Sequence, residues 1–396
     1  MKKITVRNLG PVREAAIDMG RLNIIIGPQS SGKSCILKTA SFCTWAEKQI
    51  ELEQSTRRFD KGDSFITEME AYHKLKGYIK DDTYIEYESD YMKFSYDNIR
   101  KLFIHEWKER WSYKRPKVSY IPSERNLVAA IPNWLEVTLD NNNIRGFMSD
   151  WENARKDYQE GIDILNLDIS YSYRKQSLED KIFIKGKETP LSFTNTSSGL
   201  QSLVPLYVYI DFISKKKQSP TNVLRKNQAD QLTITLYDMF IIRQNKGGHV
   251  TVKGNKLINA DSCWERFGNL RLSFREKRYA DEFKEVCGRY TNTHHCEIFL
   301  EEPENNLFPP TQQQLAEWLL EKTEEDESCE LSIATHSPYI LSTFIEKKID
   351  YMRLIFIKEE RDGLSTIVTA SEEDIQEIYD NGVDAFFNIE AYTSRE

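Results

Sequence analysis

The sequence predicts an α/β fold organised around a phosphate-binding loop, and three observations predict it. An apolar run, Leu22 to Ile26, leads into Gly27-Pro28-Gln29-Ser30-Ser31-Gly32-Lys33-Ser34, which fits G-x-x-x-x-G-K-[ST]. A helix-compatible segment, Cys35-Ile36-Leu37-Lys38-Thr39-Ala40, follows at once. A second apolar run, Ile298 to Leu300, ends in the carboxylate pair Glu301-Glu302.

The elements can be justified in chain order. Alternation over Lys3 to Leu9, a Gly10-Pro11 turn and the run Ala15 to Met19 read as a hairpin leading into the loop. From about residue 41 to 115 the chain is charged and aromatic. It shows helical patches at Trp45 to Arg57 and Phe65 to Ile79 and one strand at Thr83 to Glu88. Val118 to Ile121 is a short buried strand stopped by Pro122, and residues 134 to 175 read as helical and polar. Small polar residues at 194 to 198 open an apolar helix, which Pro205 should kink. Residues 215 to 290 change character, with Lys215-Lys216-Lys217-Gln218-Ser219-Pro220 and Gly247-Gly248, and read as a partly helical insertion. Glu297 to Glu302 and Leu331 to Thr335 are buried strands. The tail holds strands at Tyr351 to Ile357 and Leu364 to Thr369 and a helix at Glu372 to Tyr379.

Bulk properties bound the function. A length of 396 residues gives two or three domains, or one core with a large insertion. With 39% hydrophobic and 29% charged residues the chain is globular rather than disordered. The formal net charge of −8 argues against wholesale wrapping of nucleic acid but leaves room for a local basic groove. The start lacks the apolar stretch of a signal peptide, and no run is long enough to span a membrane. The 6 scattered cysteines lack C-x-x-C spacing and read as reduced thiols, so the expectation is a cytoplasmic protein. His294-His295-Cys296 would point to opposite faces of a strand, which disfavours a shared zinc ion.

The loop explains itself physically. Its glycines let the backbone wrap a phosphate, its N–H groups form an anion nest, and the helix behind adds a positive dipole end. Gly27, Pro28, Gln29, Ser30, Ser31, Gly32, Lys33, Ser34 and Cys35 are the candidate nucleotide contacts. Lys33 supplies charge to the β- and γ-phosphates, and the Ser34 hydroxyl supplies a ligand for Mg²⁺. Hydrolysis also needs a carboxylate near the metal and a group that activates water. Glu301 is placed for the first task, as a metal ligand acting through water, and Glu302 for the second, as the catalytic base. A solvated acidic turn is the bland alternative, as at Glu324 to Glu327. The apolar strand before Glu301 argues against it.

In order, Gly27 to Ser34, Ser197-Ser198-Gly199-Leu200-Gln201, Leu300-Glu301-Glu302-Pro303-Glu304-Asn305-Asn306-Leu307 and Ala334-Thr335-His336-Ser337-Pro338 resemble the motif set of the ABC-type ATPase head found in SMC and DNA-repair ATPases. Within it the chain is similar to bacterial AAA-type ATP-binding proteins of the OLD (overcoming lysogenisation) group and of phage-defence systems such as PARIS and Septu. The resemblance implies a P-loop NTPase head with a mixed β-sheet core, an antiparallel β subdomain and helical insertions. It implies ATP and Mg²⁺ as ligands. It also implies a head-to-head homodimer or higher even oligomer, and an antiviral or DNA-surveillance role with a separate effector, a nuclease or toxin. Ser197, Ser198, Gly199 and Gln201 resemble the signature motif that reaches a partner's γ-phosphate. His336 resembles the switch histidine and is the second candidate catalytic residue. Asn305-Asn306-Leu307 falls where the family has its D-loop.

One family feature departs. Pro122-Ser123-Glu124-Arg125-Asn126 stands at the Q-loop position without a glutamine. Either Glu124 or Arg125 senses nucleotide, or the two belong to a structural ion pair. The domain expectation is a nucleotide-binding core from 1–40 and 297–396, core strands plus a helical lobe at 41–196, a signature helix at 197–214 and an insertion at 215–296. Lys101 to Lys117, with Lys108, Arg110, Lys114, Arg115 and Lys117 among Trp107, Trp111 and Tyr113, suits backbone contact and stacking on DNA, as does Arg271 to Arg278. A solvated charged face is the competing reading of both. Two rival functions stand beside the switch: a non-hydrolysing ATP-bound scaffold that sequesters a toxin, and a transporter ATPase subunit. The interval of about 100 residues between signature and carboxylate motif counts against the second.

Overall fold

The computed structural model describes residues 2–215, 224–244, 263–325, 328–347, 351–381 and 386. β1 (Lys2–Leu9) and β2 (Val12–Met19) form the expected hairpin, with Ile4 and Val6 of one strand and Ala15 and Ile17 of the other alternating into the core and Val12 buried beside the turn. β3 (Leu22–Ile26) is buried at every position, as a strand covered on both faces must be. It passes through the glycine-rich loop into α1 (Lys33–Glu53).

Helix α1 runs 21 residues without a break, joining the segment after the loop to most of the helical patch expected at Trp45 to Arg57, and residue 40 lies inside it. Buried residues lie on most of its faces, which removes the one-sided apolar stripe that marks a surface helix. Gln54, at φ 51°, ends it in a left-handed cap. α2 (Ser64–His73) is shorter than expected, because Ile79 already belongs to β4 (Ile79–Glu88). β5 (Met92–Asp97) and β6 (Leu102–Trp107) continue from it antiparallel, and the sequence reading had missed both.

β7 (Pro116–Ile121) is followed by α3 (Leu127–Ala130) and α4 (Asn143–Arg155), the latter capped by the Asn142 side chain. The helical expectation for 134–175 holds only for α4. Beyond it β8 (Ile162–Asp163), β9 (Ile169–Arg174), β10 (Glu179–Ile184) and β11 (Leu191–Ser192) make a four-stranded antiparallel sheet. Tyr171 and Tyr173 of β9 alternate into its core, a period of two that surrounding polar residues disguise.

α5 (Ser198–Lys215) stays helical through Pro205. α6 (Lys226–Gln244), the hairpin β12 (Cys263–Phe267) and β13 (Leu270–Phe274), and α7 (Lys277–Thr291) form the insertion. Its small core joins Phe240, Phe274 and Phe283 to Tyr113 and Tyr290. The expected loop features at 216–220 and Gly247-Gly248 lie outside the described residues.

β14 (His295–Glu301), α8 (Pro309–Glu325), β15 (Cys329–Ala334), α9 (Pro338–Glu346), β16 (Met352–Glu359), β17 (Ser365–Thr369) and α10 (Glu372–Asn381) complete the chain. The main sheet has 11 strands in the order β6-β5-β4-β1-β2-β17-β16-β3-β15-β14-β7. From β16 to β7 every pairing is parallel, whereas β6 to β2 is an antiparallel meander. The α/β class, mixed sheet core, antiparallel sheet and helical additions are all present. Among the described residues, no helix is long and apolar enough to cross a membrane.

Candidate functional site

The parallel strands end together. Across the register Ile25 of β3 lies beside Ala334 of β15, Ala334 beside Glu301 of β14, and Leu300 beside Ile121 of β7. One crevice at the carboxyl edge therefore receives the phosphate loop, Glu302, His336 and the Pro122–Ser123 turn, as open parallel sheets dictate.

The loop is shaped by two glycines. Gly32 sits at φ 111°, and an added Cβ would lie 2.9 Å from Val12 Cγ2 and 3.1 Å from Pro11 Cγ. The turn of the first hairpin thus braces the loop from behind. At Gly27 a Cβ would meet Ile357 Cβ at 2.8 Å. Ser31 is buried and its hydroxyl donates to the Pro28 carbonyl at 2.8 Å, closing the loop on itself. Pro28, Gln29 and Ser30 are exposed on its outer rim.

The first intrahelical bond of α1 runs from Ile36 N–H to the Gly32 carbonyl at 3.0 Å. The amides of Lys33, Ser34 and Cys35 precede it and belong to the helix N-terminus. Cys35 can serve only through that backbone: its thiol is buried, faces the Leu9 carbonyl at 3.8 Å, and is pushed up to about 12 by burial. Lys33 Nζ donates to the Gly27 carbonyl at 2.8 Å and the Pro28 carbonyl at 2.6 Å. Burial pushes its ammonium down to about 8, against the opposing pull of Glu302 and Glu304. Such a lysine is held at the crevice short of anionic partners, as a phosphate receptor should be.

The two carboxylates stand in different surroundings. Glu301 is buried, accepts the Ser123 amide at 3.4 Å and lies 3.8 Å from Lys38 Nζ. Glu302 is less enclosed and stands in the left-handed region at φ 41°. Burial, then Glu304 and Glu301, raise its carboxyl above the ordinary value. The Ser34 hydroxyl makes no hydrogen bond among the described residues. Ser34 and Glu301 together form an all-oxygen donor set, which fits Mg²⁺, an ion that keeps phosphate oxygens and waters as its remaining ligands.

Two residues tie the crevice together beyond what the motifs announced. Arg125 is fully buried and spends its donors on five backbone carbonyls: Ser202 at 3.0 Å, Pro122 at 3.3 Å, Glu301 at 2.9 Å, Glu302 at 2.7 Å and Pro303 at 3.2 Å. It is neither a nucleotide sensor nor half of a Glu124 ion pair, since Glu124 bonds to Lys74 at 3.3 Å. Glu304 accepts the His336 amide at 2.6 Å and the Thr335 hydroxyl at 2.8 Å, fastening the segment after β15 to the turn after β14. The imidazole of His336 is held below its ordinary value by burial and by Lys33, so it is neutral at pH 7.

Ser197 and Ser198 are exposed at the start of α5. The Gln201 side chain is committed inward, donating to the Thr194 and Thr196 carbonyls at 2.9 and 3.1 Å. Gly199 packs on the D-loop position: a Cβ there would sit 2.9 Å from the Asn306 carbonyl oxygen. Asn306 Nδ2 also donates to Ser202 Oγ at 3.1 Å.

The basic stretch at 101–117 is largely consumed within the molecule. Lys108 pairs with Glu88 at 2.5 Å and Lys117 with Asp150 at 3.1 Å, Arg110 bonds to Gln54 and stacks 3.9 Å over Trp107, and Arg115 is buried. In the second stretch Arg271 lies over Trp264, while Lys277 and Arg278 pair with Glu265 and Glu276. His294, His295 and Cys296 face three different partners, Gly288, Glu297 and Ile213.

No family model matches the chain, and no curated protein matches it. Among solved structures it is similar to an SMC head bound to the C-terminal winged-helix domain of ScpA, at 10% identity and a TM-score of 0.42, covering 95% of this chain and 99% of that one. It is similar to the SMC head domain of Thermotoga maritima, at 11% identity and a TM-score of 0.41, covering 93% and 98%. An ATP-binding cassette of an ABC transporter in its ADP conformation is similar at 12% identity and a TM-score of 0.28, covering 96% of each.

Proposed function

We propose that this chain is an ATP-binding and ATP-hydrolysing switch of the ABC, SMC and OLD-like type, which closes head to head with a second copy around ATP. The observation that carries the reading is the crevice: phosphate loop, tandem carboxylates and a neutral histidine sit at the ends of adjacent parallel strands.

The loop amides and Lys33 bind the triphosphate, and Lys33 leaves the Gly27 and Pro28 carbonyls to do so. Ser34, and Glu301 through water, would hold Mg²⁺, which when bound would supply charge stabilisation to the phosphoryl group. Glu302, with its raised carboxyl, takes the proton of the attacking water. His336 contacts the γ-phosphate, and Glu304 relays its loss through the His336 amide. The exposed Ser197 and Ser198, with half-buried Gly199 behind them, contact the partner's nucleotide, so ATP is shared and its binding energy drives assembly. Gln201 acts by shaping that corner rather than by touching nucleotide. In its biological setting the switch serves bacterial antiviral defence or DNA surveillance and governs a separate effector, a nuclease or toxin. That last step rests on the sequence resemblance.

Phosphate release and light scattering test the proposal. Lys33→Ala should lose nucleotide binding, while Glu302→Gln should retain ATP, stop turnover and accumulate the dimer. Equal turnover in wild type and Glu302→Gln would favour the non-hydrolysing scaffold. An unchanged mass with and without ATP in every variant would remove the dimer.

A further inference from the structure

A second cleft opens on the far half of α1, between that helix, the start of β7 and α6. Its volume is about 620 Å³, within the usual range for small-ligand pockets. Lys48 lies 15 residues beyond Lys33, so the cleft is roughly 22 Å from the phosphate loop at 1.5 Å rise per residue. We propose that this cleft is a separate binding site for a small phosphorylated anion.

Three cations from two directions line it: Lys48 on α1, Lys117 at the start of β7, and Arg115 just before β7, whose guanidinium also donates to the Thr291 carbonyl at 2.6 Å. The carboxylates nearby have other work. Glu53 pairs with Arg58 at 3.5 Å, and Asp150 neutralises Lys117 at 3.1 Å and accepts the Tyr209 hydroxyl at 2.7 Å, which leaves Lys48 as the lining lysine without a carboxylate among the described residues. Among the described residues, Lys48 Nζ has neither a hydrogen bond nor an ion pair. Burial, then the like charges of Lys117 and Arg115, push its ammonium down to about 7, with Asp150 and Glu297 opposing. A cation so placed gains a charge-assisted hydrogen bond and loses its repulsion when a phosphate arrives.

The facing wall of α6 presents Gln228, Gln231 and Thr235, donors and acceptors suited to the uncharged part of such a ligand. A nucleic-acid strand fits less well. Arg115 is 4% exposed and cannot reach a polymer passing over the surface. The charges also converge on one locus instead of tracking a backbone.

The inference does not rest on the proposed ATPase activity. Calorimetry on the full chain carrying Lys33→Ala, which silences the loop, tests it with two probes, inorganic pyrophosphate and AMP. The expected result is a single saturable site for at least one probe, weakened roughly tenfold or more by adding Lys48→Met. AMP binding more tightly than pyrophosphate assigns a nucleotide, and the reverse assigns an inorganic anion. Should Lys48→Met melt early, Gln231→Leu on the opposite wall replaces it, and AMP affinity should fall. Absence of saturable binding by either probe, or equal affinity with and without Lys48, overturns the proposal. So does Lys48-dependent binding of a single-stranded oligonucleotide alone.

Discussion

Replacing Arg125 with lysine tests whether a buried guanidinium sets the catalytic geometry. The guanidinium has five N–H groups and meets five carbonyls, drawn from its own turn, from the turn after β14 and from α5. Lysine keeps the charge, which burial pushes down to about 10 in arginine while Glu304, Glu302 and Glu301 oppose. Lysine has only three N–H groups, so at least two buried carbonyls lose their donor. Each orphan costs about 1–3 kcal/mol, giving a loss of about 2–6 kcal/mol. At about 2–4 °C per kcal/mol, the apparent melting temperature should fall by several degrees. Function should fall selectively. Glu302 is held at φ 41° by the Arg125 bond to its carbonyl and by its own amide on Ala334 at 2.8 Å. Left-handed backbone of this kind stores about 1–3 kcal/mol and relaxes once its restraint weakens. Phosphate release should drop roughly tenfold or more, about 1.4 kcal/mol, while ATP affinity, set by the loop, holds. A variant that melts and turns over as wild type would refute the clamp.

Three further outcomes are expected. ATP affinity should be flat below pH 8 and weaken above it: free Lys33 loses its proton near 8, whereas bound triphosphate holds that proton more tightly. Lys33→Arg should abolish the slope in a titration from pH 7 to 9.5. Gly32→Ala should cost about 1–3 kcal/mol or more, from its φ of 111° and the Val12 contact at 2.9 Å, and should remove ATP binding as read by fluorescence titration. Gly199→Ala should leave ATP binding intact and reduce ATP-dependent dimer in light scattering, because its Cβ would drive α5 off the Asn306 carbonyl.

What was legible in the sequence was whatever chemistry confines to neighbouring residues. The phosphate loop and the carboxylate pair needed a short spacing next to an apolar strand, and β3, β14 and β15 appeared where those runs stood. Helix α1 was cut short because its burial on most faces leaves no periodicity to follow past Ala40. β6 is disguised because its outer face carries Leu102 and Ile104, both exposed, which blurs a period of two, whereas β5 and β9 do alternate but are short and lie among charged and hydroxylated residues. The basic stretch read as an open surface because its neutralising partners lie far along the chain: Glu88 for Lys108, Asp150 for Lys117 and Gln54 for Arg110. Glu304 lay within a recognised block, yet nothing local announced that it would hold the His336 amide 32 residues on.

Arg125 shows the deeper limit. Its partners are backbone carbonyls, which every residue carries, so no pattern of side chains can announce them. Only the meeting of β7, β14 and α5 supplies five acceptors at one point. That meeting also explains why the Ser197–Ser198 corner faces outward. Ser202, one turn inside α5, is fixed through its carbonyl to Arg125 and through its hydroxyl to Asn306, and Gly199 lies flat on the Asn306 carbonyl. With the helix clamped along that side, Ser197 and Ser198 at its tip have no protein to pack against and remain exposed. Arg125 grips the Glu302 and Ser202 carbonyls at once, so the two positions share one anchor. The bond that holds the Glu302 backbone and the bond that holds α5 behind the serine corner therefore belong to one side chain, as the proposed hydrolysis-coupled switch needs.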